Sequence, residues 1–170
     1  MKKRVTATVF LLLLTGSVIW MIIEGTKPEI LPVGSNLPDI GFLTQDGKTT
    51  IEKTNKKILI VFFSKECPHC KYELNVLNDN VEKLKDTKIY LFTIDKDFFR
   101  DEKIRSYSNL TTNKNVTFGI VNKEEYKAKL GGMVTPTLYF FNEKGILTAK
   151  LKGETKLERI LQELNKQKFP

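Results

Sequence analysis

Cysteine and histidine are nearly absent from this chain: Cys67, Cys70 and His69 are its only examples in 170 residues. A zinc site needs four ligands, so a Cys/His site would have to recruit carboxylates or a second subunit. A covalent c-type haem needs His directly after the second Cys, and Lys71 stands there instead. No cysteine lies near the N-terminus, which excludes a lipid-modified cysteine in that region. Blocks of basic residues alternating with aromatics are also missing, because the lysines are scattered among glutamates. The formal net charge is +8, and Lys2, Lys3 and Arg4 account for three of those charges. The remainder implies a solvated surface with some attraction for anionic lipid, and no nucleic-acid partner. No metal and no cofactor is expected, and no internal repeat is found.

What the chain does have is concentrated in Ser64-Lys65-Glu66-Cys67-Pro68-His69-Cys70-Lys71. Upstream, Ile58 to Phe63 is a short apolar run rich in β-branched and aromatic residues, which predicts a buried strand. Downstream, Cys70, Leu74, Leu77, Val81 and Leu84 recur at helical spacing and share one helix face. Cys67 therefore falls near a helix N-terminus, where unpaired N–H groups and the macrodipole favour a thiolate. A purely structural disulfide here would close so small a loop that its stabilisation is modest. A redox-active dithiol remains. Pro68 restrains the turn, and His69 supplies positive charge beside Cys67.

The N-terminus reads as an address. Lys2, Lys3 and Arg4 precede Val5 to Ile23, an uncharged run of nineteen residues. At about 1.5 Å per residue it spans roughly 28 Å, about a bilayer core. The positive flank predicts a cytoplasmic start and an outside C-terminal part, with Trp20 near the far interface. An uncleaved anchor over residues 1–23 is favoured over a cleaved signal peptide, since no A-x-A pattern follows the run. The expected localisation is a single-pass cell-membrane protein with its domain extracytoplasmic, a compartment that suits disulfide chemistry.

Residues 24–34, with Pro28, Pro32 and Gly34, read as a linker, and residues 35–170 as one domain. Asp46-Gly47 between Ile40–Leu43 and Thr49–Ile51 predicts a hairpin. Lys88 to Asp95 reads as a second buried strand, and two such strands joined by a helix imply a parallel crossover. Asp97 to Tyr107 is expected to be a short helix, Ser108 to Asn115 a loop and Val116 to Val121 a strand. Asn122 to Glu125 matches a helix start and Gly131-Gly132 a stop. A hairpin of Leu138–Phe141 and Ile146–Leu151 follows. Thr155-Lys156-Leu157-Glu158 then reads as a capping box opening a last helix.

This order of elements resembles the thioredoxin fold, an α/β architecture with a central mixed sheet flanked by helices. The anchor, the lead-in Val33-Gly34-Ser35-Asn36-Leu37-Pro38-Asp39, and Val134-Thr135-Pro136-Thr137-Leu138 before Phe140-Phe141-Asn142-Glu143-Lys144-Gly145 narrow the resemblance. They look like the membrane-anchored TlpA/ResA-like thiol–disulfide oxidoreductases, over about residues 33–165. The resemblance implies that Cys67 attacks and Cys70 resolves. It also implies that Pro136 is a cis-proline facing the pair, that Thr135 offers backbone bonds to a bound substrate, and that Glu73 is an acid beneath the site. The implied partners are protein thiols and disulfides and a membrane redox partner that recycles the pair.

Two departures from the pattern bear on direction. Val61 stands where thioredoxins usually carry an acid six residues before the first cysteine. ResA-like reductases usually carry Glu-Pro between the cysteines, whereas Pro68-His69 resembles the oxidase DsbA. DsbA's helical insertion has no counterpart in the short polar segment here. Stabilising the Cys67 thiolate favours the reduced pair, so the dipeptide leans towards an oxidising protein, with a ResA-like reductase as the alternative. Peroxiredoxins share the general fold, but Ile60 stands where their motif needs proline. Copper-delivery modules of the Sco type place three residues between their cysteines and add a distant His, against two residues here and His69 alone.

Overall fold

The computed structural model describes residues 12–21, 29–52 and 54–166. Its strands are β1 (Gly41–Thr44), β2 (Gly47–Thr50), β3 (Lys57–Phe62), β4 (Thr87–Thr93), β5 (Val116–Val121), β6 (Thr137–Phe141) and β7 (Leu147–Lys152). Its helices are α1 (12–21), α2 (Pro68–Asn80), α3 (Ser108–Thr112), α4 (Lys123–Leu130) and α5 (Leu157–Asn165). The strands form one mixed sheet in the order β2-β1-β5-β4-β3-β6-β7. β3 pairs parallel with β4, and β4 with β5; β1, β6 and β7 join antiparallel.

The unbroken apolar run before the cysteines is explained by burial on both faces of the sheet. Leu59, Val61 and Phe63 meet Leu74 and Leu77 of α2 and Ile160 and Leu164 of α5. Ile58, Ile60 and Phe62 point the other way, towards Tyr126 and Leu130 of α4 and the incoming residues Leu31 and Ile40. β3 is thus paired on both sides, and its C-terminal end delivers Ser64 to Cys67 to one end of the sheet.

Three local expectations change. Asp97 to Tyr107 forms two 3-10 turns, Phe98–Arg100 and Glu102–Ser106, rather than one helix. Asp101 interrupts them, since its side chain caps the Lys103 N–H at 3.0 Å, while Phe98 and Ile104 anchor each turn in the core. Ser108 to Asn115 is not all loop, because Ser108–Thr112 is helical. Its N-terminal amides are satisfied from α2, where Asn78 Oδ1 accepts from Asn109 at 3.1 Å and Leu110 at 3.3 Å. Thr155 does not cap α5: the N-cap is Lys156, with no side-chain hydrogen bond.

Residues 29–34, expected as linker, lie against the domain. Leu31 is buried, and Gly34 donates its N–H to the Leu147 carbonyl at 2.8 Å. Much of the expected anchor (residues 1–11, 22 and 23), the linker residues 24–28, and residues 167–170 lie outside the described residues. Among the described residues no helix is long and apolar enough to cross a membrane.

Candidate active site

β3 ends and α2 begins within five residues, and the turn between them is held from below. Phe63 N–H donates to the Phe92 carbonyl at 2.9 Å, and Cys67 N–H to the Ser64 carbonyl at 3.2 Å. Asp95, just past β4, accepts from the Lys65 N–H at 3.0 Å and from the Thr93 hydroxyl at 3.0 Å. Cys67 is the N-cap residue of α2, with Pro68 in the first turn, where its missing N–H costs nothing. The Cys70 N–H donates to Cys67 Sγ at 3.3 Å.

The two thiols differ sharply. Cys70 is fully buried and Cys67 half-buried. Burial raises the Cys67 thiol, but hydrogen bonds from the Cys70 side chain and amide, the Thr135 hydroxyl and the His69 amide outweigh it, so its pKa falls. Burial pushes the Cys70 thiol up to about 12, with Cys67 adding to the rise. Sulfur at a helix N-terminus is where thiolate is favoured. One cysteine is therefore accessible and easily ionised, and the other is enclosed and protonated.

Across from them, Thr135–Pro136 is a cis peptide, and Cys67 Sγ lies 3.6 Å from the Thr135 carbonyl oxygen. Thr137 Oγ1 donates to the Val134 carbonyl at 2.7 Å, and Gly153 N–H to the Pro136 carbonyl at 2.8 Å, which fix the loop from both sides.

Glu73 is wholly buried, on the same face of α2 as Cys70. Its Oε2 accepts from the Thr155 N–H at 2.8 Å, while Oε1 has no partner. Burial lifts its pKa to about 7, against the Thr155 hydrogen bond and with a further push from the Glu154 charge. His69 is exposed, and its Nδ1–H points to Glu154 Oε2 at 3.0 Å. That hydrogen bond raises the imidazole pKa. The ring is turned to Glu154, the Cys67 charge also bears on the imidazole, and the His69 amide adds a hydrogen bond to the sulfur.

The structure brings together Cys67, Pro68, His69, Cys70, Glu73, Thr135 and Pro136. Sequence reasoning missed Asp95, which holds the turn, and Glu154 and Thr155, which reach His69 and Glu73. A short Thr-x-Asp at a strand end was the only signal for Asp95. Glu154 and Thr155 carry none, being 85 and 82 residues from their partners. Among the described residues no group of three or more His, Cys, Asp or Glu is placed to hold a metal ion.

Residues 44–168 match the family model described as Thioredoxin-like domain. Solved structures agree in fold. A peroxiredoxin-like protein from Aquifex aeolicus superposes with a TM-score of 0.66 at 16% identity, covering 82% of this chain and 89% of that one. A thiol:disulfide interchange protein of the thioredoxin family from Chlorobium tepidum gives 0.62 at 13% identity, over 79% and 97%. A thiol:disulfide interchange protein from Bacteroides sp. gives 0.59 at 22% identity, over 82% and 94%. No curated protein sequence matches significantly.

Proposed function

Since the chain belongs to the Thioredoxin-like domain family, we propose that it is a thiol–disulfide oxidoreductase exchanging disulfides with protein substrates through Cys67 and Cys70. The observation that carries this is the asymmetry of the pair, with Cys67 lowered at the helix N-cap and Cys70 buried and raised. A low pKa makes Cys67 the ready attacking or leaving sulfur, and the raised pKa of Cys70 means that its leaving or resolving step needs a proton donor or acceptor beside it.

In the oxidising direction a substrate thiolate attacks Cys67 of the Cys67–Cys70 disulfide, and Cys70 leaves as a thiolate that takes a proton. A second substrate thiolate then displaces Cys67, so the substrate loses two electrons and the pair gains them. In the reducing direction the Cys67 thiolate attacks a substrate disulfide, and Cys70 gives up its proton and resolves the mixed disulfide. Glu73 is the proton acceptor or donor for Cys70, and Thr135, beside cis-Pro136, binds the substrate strand through its backbone.

The finer proposal is a TlpA/ResA-like protein anchored by residues 1–23, with the domain outside the membrane and a membrane redox partner. We assign it the oxidising direction, because thiolate stabilisation at Cys67 favours the reduced pair. The reductase direction is the second reading, favoured by the His69–Glu154 contact, which offsets the charge on which the Pro-His argument rests. Trapping tests the exchange. Cys70→Ser incubated with a disulfide-bonded protein should accumulate a mixed disulfide at Cys67, detected by mass and lost in Cys67→Ser. No adduct, or one that survives Cys67→Ser, would remove the proposal.

A further inference from the structure

Three consecutive residues of the turn between β7 and α5 each hold a different part of the site. Gly153 donates to the Pro136 carbonyl at 2.8 Å, Glu154 meets His69 at 3.0 Å, and Thr155 donates to Glu73 at 2.8 Å. Gly153 has φ +87°, a conformation that favours glycine. Past it, Glu154 turns outward while Thr155 is 6% exposed. One carboxylate thus touches an exposed imidazole and sits next in sequence to the amide that holds a buried carboxyl, both groups being on α2.

From this geometry we infer that Glu154 couples the proton on exposed His69 to the proton on buried Glu73. The substrate-facing edge of the site then sets the readiness of the acid beneath it. The charge of Glu154 opposes ionisation of Glu73, adding to the larger effect of burial. The same carboxylate holds a proton on His69, and the resulting imidazolium offsets the charge that Glu73 feels. With His69 protonated, Glu73 ionises more easily; with His69 neutral, Glu154 acts unopposed and Glu73 keeps its proton. By linkage an ionised Glu73 tightens the hold of His69 on its proton. The groups bearing on Glu73 are Glu154 by charge and Thr155 by its N–H; on its own helix Cys70 precedes it by three residues. His69 faces Glu154 and the Cys67 sulfur.

The consequence rests on the exchange proposed above. When Cys70 resolves a mixed disulfide, its proton must leave as its sulfur bonds to Cys67 and the substrate sulfur departs with the electron pair of the broken bond. An ionised Glu73 can take that proton. Protonated His69 therefore favours the accepting form, and Glu154 is a positioning residue that transmits the effect.

Carboxyl-13C and imidazole NMR titrations of the reduced full chain test this on wild type, Glu154→Gln, His69→Gln and the double variant. Glu154→Gln should lower the pKa of both His69 and Glu73. His69→Gln should raise Glu73 by about 0.2–0.7 pH unit, the range given by partly exposed charge pairs. In the Glu154→Gln background, where the imidazole loses its proton earlier, the same change should shift Glu73 less than half as far. Equal shifts in both backgrounds, or a Glu73 pKa that moves in neither, would overturn the coupling. The titrations require no exchange chemistry. Coupling in a protein that forms no mixed disulfide would sink the exchange proposal alone, and exchange without coupling would sink this one alone.

Discussion

Glu73 shows what a buried carboxyl costs a small domain. It is 0% exposed, with one carboxyl oxygen unpartnered and a pKa of about 7, against about 4.3 for an unperturbed glutamate. The folded protein binds this proton more tightly than the unfolded chain, so the sign is fixed. The associated stability is fully present below about pH 4.3 and is lost as pH rises through about 7, up to about 4 kcal/mol. Wild-type protein should therefore lose stability between pH 5 and pH 8, and Glu73→Gln should flatten that slope. Urea unfolding at the two pH values measures it; parallel slopes would mean that Glu73 titrates as an ordinary glutamate. The Thr155 N–H offsets part of the burial cost, yet Oε1 stays bare. Such a group fits a residue kept for proton transfer better than one kept for stability.

At the scale of elements, the strand–turn–helix around the cysteines was legible because its signals are local. A continuous apolar run, a proline inside the first helical turn and a four-three apolar spacing each speak for themselves. The elements that were misread take their cue from distant partners. α3 is started by Asn78 from another helix, and Thr155 serves Glu73 instead of opening α5. Its side chain instead donates to the Gly153 carbonyl at 3.2 Å. The site divides the same way: Cys67, Cys70 and Pro136 announce themselves in short motifs, whereas Glu154 becomes a site residue only through the turn that brings it to His69. Close packing between elements gives a prediction of its own. A Cβ added at Gly119 of β5 would lie 2.5 Å from Phe42 Cδ2 and 3.1 Å from Phe92 Cδ1. Gly119→Ala should therefore destabilise by about 1–3 kcal/mol through overpacking at the β1–β5 pairing. Chemical denaturation reads the effect, and an unchanged midpoint would show that Phe42 yields freely.

For the whole molecule, the sheet order sets the chemistry. Placing β3 between parallel β4 and antiparallel β6 puts the Cys67 turn, the Asp95 support and the cis-Pro136 loop at one end of the sheet. The pairing order could not be read from any single segment, since it depends on which strands meet. The proposed address is tested separately. A reporter fused to the C-terminus should be active only outside the cytoplasm, and the protein should sediment with membranes at its full mass. A cytoplasmic reporter would contradict the topology, and a shortened protein in the medium would contradict the anchor.

The central claim is that Cys67 and Cys70 form a two-electron couple, and equilibration with glutathione redox buffers tests it most directly. Wild-type protein, acid-quenched and alkylated, should pass through one transition in which both thiols are lost together. Its midpoint should lie above the roughly −270 mV of thioredoxin and should vanish in Cys67→Ser and Cys70→Ser. A midpoint at or below that of thioredoxin would reverse the assigned direction. Two thiols that stay alkylatable throughout the series would contradict the account itself.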